Sequence, residues 1–120
     1  MAATDSLRRF VAFSMAQVKQ PVRSVQVPTQ NLHAMMPAEM IIVTHPLFMA
    51  YAEKLAALHL EDDGITSLIV TPEQVCNEFS GGVPDAVAIR NFIRMIRDRG
   101  MQSGPRPGYL LLFGDGSYEN

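Results

Sequence analysis

A chain of 120 residues, 48% hydrophobic and 18% charged, is globular and makes one domain at most, with room for a modest core. Its net charge of −2 and pI near 5.8 give no global pull toward nucleic acid or anionic membrane. No apolar stretch approaches the ~20 residues of a membrane span, and a single cysteine, Cys76, rules out an internal disulfide and a thiolate metal cluster.

Residues 1–39 read as an irregular lead-in. Its start, MAATDSLRRFVAFS, has no apolar block long enough for a signal-peptide core. Arg9 to Ser14 can form a short strand, but Pro21, Pro28 and Pro37 prevent any long regular element after it. From Met40 the pattern tightens. MIIVTH is a short apolar strand ending in polar residues, and Pro46 then suits the first turn of a helix, where its missing N–H costs nothing. Leu47, Tyr51, Leu55 and Leu58 follow at helical spacing, predicting a helix over 47–60 that buries this stripe, with Glu61-Asp62-Asp63-Gly64 ending it. His59 suits the last turn as a partner of the helix dipole.

Ile65 to Val70 is a second strand, rich in β-branched residues. Thr71 and Pro72 predict the N-cap and first turn of a short helix, which Gly81-Gly82 breaks. A clearer helix starts at Pro84 or Asp85, with Ile89, Phe92, Ile93 and Ile96 inward, Arg97 and Arg99 in its last turn, and Gly100 as its cap. A loop over 100–108 leads to the third strand, Tyr109 to Phe113. The order β-α-β-α-β with uniformly apolar strands predicts an α/β fold, a parallel sheet with helices on both faces. Right-handed crossovers give a strand order of 2-1-3, a flavodoxin-like half. The expected core is Ile42, Leu55, Leu68, Ile69, Ile89, Phe92, Leu111 and Leu112.

Polar residues gather at the carboxyl ends of the strands, where ligands bind in such sheets: Thr44 and His45, then Thr71, then Asp115, Ser117 and Glu119. The plain reading of each is a solvated loop or a helix cap. His45, Thr71 and Asp115 are the candidates for a ligand-binding edge. A Cys76–His45 nucleophilic pair is disfavoured because Cys76 falls inside a helix, with nothing nearby to activate a thiolate. A phospho-receiver centred on Asp115 lacks the extra acids after the first strand that would hold Mg²⁺. Asp115, Ser117 and Glu119 begin like a calcium loop, but no closing carboxylate follows, so calcium near Asp115 is a weak alternative to no cofactor at all. Arg90, Arg94 and Arg97 form a basic stripe without interleaved aromatics, read as a solvated helix face.

Thr29-Gln30-Asn31-Leu32-His33, MIIVTHP, Val70 to Gly82 (VTPEQVCNEFSGG), PDAVAIRNFIRMIRDRG and YLLLFGDGSYEN run in order, and together they resemble the start of the gingipain-type cysteine peptidase domain. Within that family the similarity points to the sortases of the Bacteroidetes type IX secretion system. The resemblance runs from about Phe10 onward, and NEFSGG and LLLFGDGSYEN are its most specific parts. It implies a caspase-like α/β architecture of two subdomains. It also implies a catalytic histidine in Gly-His-Gly and a cysteine in an Ala-Cys-x-Asn-like motif, both downstream of GDGSY. Secretion-system members cut a C-terminal sorting domain from cargo and attach the cargo to surface lipopolysaccharide, which implies a parent at the cell surface or outer membrane.

Neither catalytic motif is matched here. His33 and His45 are not flanked by glycines, and Cys76 stands where relatives are expected to carry an aromatic. Residues 40–120 thus read as the first part of a gingipain-like domain, structural without its catalytic half and inactive alone. The alternative is a free-standing α/β ligand-binding module using the carboxyl edge of the sheet. Expected partners are the downstream catalytic half and, through the third strand as a free edge, another copy of the chain. Neither nucleic-acid binding nor membrane insertion is expected.

Overall fold

The computed structural model describes residues 9, 11–19 and 26–115. Three strands, β1 (Met40–Thr44), β2 (Ser67–Val70) and β3 (Tyr109–Phe113), form a parallel sheet in the order β2-β1-β3. Three helices connect them: α1 (Met49–Asp63), α2 (Pro72–Phe79) and α3 (Ala86–Gln102). All five residues of β1 are buried. Its neighbours pair in simple register, Ile42 lying opposite Ile69 on one side and Leu111 on the other.

The alternation of side chains along β1 divides the core into two layers. Ile41 and Val43 join Val70, Val75, Cys76, Ala88, Phe92 and Ile96 beneath α2 and α3. Met40 and Ile42 meet Ala52 and Ala56 of α1, together with Ile69, Leu111 and Phe113. This is the α/β arrangement that the uniformly apolar strands predict, and Phe92 and Ile96 sit at its centre, fully buried.

The structure corrects the sequence reading at several points. A 3₁₀ turn over Pro46–Phe48 precedes α1, and the helix runs on to Asp63 before Gly64 ends it at φ +70°, a left-handed conformation that suits glycine. Leu47, Tyr51 and Leu58 point outward, and Leu55 is only half-buried. The inward side is Ala52 and Ala56, because small side chains let a helix lie close against a sheet. His59 lies one turn before the end of α1, with its ring Nδ1 2.8 Å from Asp63 Oδ2.

Gly100 does not cap α3. It lies inside the helix, buried, where a Cβ would run into the Pro105 carbonyl as the chain turns back toward β3. Leu112 is 63% exposed rather than core, because α3 packs over β1 and β2 and stops short of the outer strand. The described residues between Arg9 and Ser14 form no strand; Ser14 accepts from the Ala16 N–H at the start of a 3₁₀ turn, Met15–Gln17. In the later lead-in, Leu32 is buried against the α2–α3 layer.

Candidate functional site

At the carboxyl edge of the sheet, β1 ends in Thr44, which is buried. Its hydroxyl donates to the Phe113 carbonyl at 2.9 Å and locks the last rung of β1 to β3. His45 follows at the surface. Its Nδ1 accepts from the Leu47 N–H at 3.2 Å, which leaves the Nε2 position as the N–H of a neutral ring. The ring meets Phe48 edge-on at 6.4 Å, and Phe48 in turn lies 6.2 Å from Phe113. His45, Phe48, Pro72, Phe113 and Asp115 border an open hollow of about 570 Å³.

The three candidates from the sequence therefore part company. His45 and Asp115 share this hollow, while Thr71 is taken up in a capping box. Its hydroxyl accepts from the Gln74 N–H at 3.1 Å, and the Gln74 side chain accepts from the Thr71 N–H at 2.9 Å. Thr71→Ala is expected to cost about 1 kcal/mol, the usual value of an N-cap, measured by denaturant unfolding. Asp115 is the last described residue of its loop. Ser117 and Glu119 of the suggested calcium loop lie outside the described residues, and among the described residues no three His, Cys, Asp or Glu side chains gather for a metal.

Cys76 is buried on the second turn of α2 among Val70, Val75 and Phe92. A thiol in such apolar surroundings behaves as a small hydrophobe rather than as a nucleophile.

Two further clusters escape a reading by periodicity. The first is built on Glu78 of α2. Its Oε1 accepts from the Leu32 N–H at 2.8 Å and from Gln30 Nε2 at 2.9 Å, while Oε2 lies 2.7 Å from His33 Nδ1. The His33 ring stacks on Phe79 at 4.8 Å, and Phe79 meets Phe92 edge-on at 5.7 Å, so the lead-in is fastened to the core. Burial pushes the Glu78 carboxyl up, but the Leu32 N–H, the Gln30 amide and the His33 donors outweigh it and hold the group at about 2. The only sequence hint is that TQNLH and NEFSGG both stand out as family segments.

The second cluster lies between α3 and β3. Ile89, Ile93, Leu110 and Leu112 floor a shallow hollow of about 750 Å³, and Arg90, Arg94 and Arg97 rim it. The solvated arginine stripe of the sequence thus borders an apolar surface.

The profile of Peptidase family C25 matches residues 33–120. The chain belongs to peptidase family C25. No curated protein matches it. Among solved structures it is similar to dimeric latent PorU from Porphyromonas gingivalis, with 44% identity and a TM-score of 0.69 over 76% of this chain. The match spans 9% of the PorU chain. Family C25 is the gingipain family that the sequence resembles, and the matched residues take in β1 through β3 together with His33, Glu78 and the arginine row.

Proposed function

We propose that this chain supplies the first β-α-β-α-β portion of a gingipain-like cysteine peptidase domain of the type IX secretion sortase kind. It is a structural portion that supports a catalytic half made by other residues. The observation that carries this reading is close similarity to PorU over most of this chain but a small part of that one. The buried position of Cys76 and the absence of a glycine-flanked histidine in the sequence support it further. The proposed partners are the remainder of such a domain and, in its absence, a second copy meeting the β3 edge. A cell-surface or outer-membrane location of the whole protein belongs to the same proposal. No helix among the described residues is long and apolar enough to cross a membrane.

Thiol peptidases need an activated thiolate, a positioned base and an oxyanion hole. The chain alone is therefore expected to leave arginyl, lysyl and generic fluorogenic peptides uncut. Turnover that disappears in Cys76→Ala would overturn the reading.

A second reading, a free-standing binding module, draws on the hollow beside His45 and Asp115, where aromatic walls meet polar groups. Small molecules that raise the melting temperature of the chain but not of its His45→Ala variant would favour it.

A further inference from the structure

We propose that α2 carries a peptide-binding site that recognises the pattern Gln-x-Leu-His, and that residues 30–33 fill it as a tethered ligand. Recognition is concentrated on one side chain. An ionised carboxylate only accepts, and it offers about four lone pairs. Those of Glu78 take four donors, all from this segment: the Gln30 amide, the Leu32 and His33 N–H groups, and His33 Nδ1, which therefore carries the ring proton. Gln30 Nε2 also donates to the Gln74 carbonyl at 2.8 Å, one turn earlier on the same helix. Between these polar anchors Leu32, 3% exposed, enters the layer of Val75 and Phe92. The His33 ring lies flat on Phe79, with 12° between the planes. Asn31 is exposed and is the free position of the pattern.

Ordinary chain packing would tie such a segment down through its backbone. Among the described residues, the only main-chain to main-chain hydrogen bonds of residues 26–38 close their own 3₁₀ turn, Leu32–Ala34. The first bond of that kind to the sheet is made by the Glu39 N–H, to the Thr66 carbonyl at 3.1 Å. Beyond the Glu78 site, the Met35 carbonyl accepts from Arg99 at 3.4 Å. The segment is therefore held as a short peptide is held on a receptor, by side chains and single N–H groups, and it can leave and return while the sheet stays folded. Its tether keeps it at an effective concentration on the order of millimolar, so it occupies the site ahead of free peptide. Segment and site both lie within this chain, so the assignment is independent of the structural role proposed above.

The probe is a fluorescein-labelled peptide copying residues 27–36, with a control peptide in which aspartate replaces the leucine. The host is the full chain carrying Gln30→Ala and His33→Ala, which loosen its own segment and leave Leu32 and the core layer in place. Fluorescence anisotropy is expected to show this variant binding the peptide at least about tenfold more tightly than the wild type, whose tethered segment competes. Adding Glu78→Gln to the variant should weaken binding at least about tenfold, and the aspartate peptide should not bind. No binding to the folded variant, equal binding of both peptides, or indifference to Glu78→Gln would overturn the proposal. Hydrogen exchange in the wild type tests the same site with no variant at all. The Leu32 and His33 amides should exchange through an opening that leaves the Ile41 and Val43 amides protected. Equal protection of all four would mean that the segment leaves only when the whole protein unfolds, which overturns the tethered ligand.

Discussion

Phe92→Ala is expected to destabilise the protein by about 3–5 kcal/mol, the range for emptying a large aromatic site in a core. Phe92 is fully buried, packed in the layer of Ile41, Val43, Val70 and Ile96, and touched edge-on by Phe79. Against a total stability of about 5–15 kcal/mol, the loss is large enough to read as a shift in denaturant midpoint. A change below about 1 kcal/mol would mean that the ring does not sit where β1, α2 and α3 meet.

The second large effect belongs to Glu78. Removing its carboxylate in Glu78→Ala leaves the Leu32 N–H without that acceptor and the Gln30 amide with the Gln74 carbonyl alone, in a site where the Glu78 side chain is 16% exposed. A loss of about 2–3 kcal/mol is expected, in line with hydrogen bonds to a charged group. The same network makes stability depend on pH, and the sign follows from the direction of the shift. The folded carboxyl is held at about 2, below its ordinary 4.5, so the unfolded chain binds the proton more readily. The contribution is therefore complete above the ordinary value and is lost as pH falls through 4.5 toward 2. Unfolding midpoints at about pH 6 and about pH 3 should differ in the wild type and draw together in Glu78→Gln. An unchanged difference in that variant would place the pH dependence on other carboxylates.

Much of this architecture is legible in the sequence because its elements carry redundant signals. MIIVT and YLLLF are too short for helices and too apolar for loops, and Thr71-Pro72 and Asp85 mark helix starts by side-chain chemistry that works in isolation. The order β2-β1-β3 then follows from the handedness of parallel crossovers.

The orientation of α1 was not legible. Its apolar residues lie all around the helix, so spacing favours the bulky Leu47, Tyr51 and Leu58, while close packing on the sheet selects Ala52 and Ala56. The exposure of Leu112 depends on where α3 ends sideways across the sheet, which no local pattern encodes. Gly100 reads as a cap from its place after a run of arginines, whereas its true constraint is the returning Pro105 backbone.

The sequence puts three candidate residues at the carboxyl edge of the sheet. Thr71 has the right position but spends its hydroxyl on α2, which leaves His45 and Asp115 together. Glu78 is an ordinary helical glutamate in the sequence. Its role arises only because Gln30, Leu32 and His33 fold back from more than forty residues away, and long-range hydrogen bonds of that kind leave no periodic trace.

The central place of β1 bears on synthesis at the ribosome. β1 is the first strand to emerge, yet its second neighbour arrives only with Phe113, whose carbonyl meets Thr44 across 69 residues of chain. A nascent chain ending before β3 can pair β1 on one side only, leaving a strand that is buried throughout in the folded sheet without one of its hydrogen-bonding neighbours. The sheet closes around β1 only when Tyr109–Phe113 has cleared the exit tunnel. Ribosome-bound chains halted before β3 should therefore be captured by holdase chaperones, and chains halted well beyond it released.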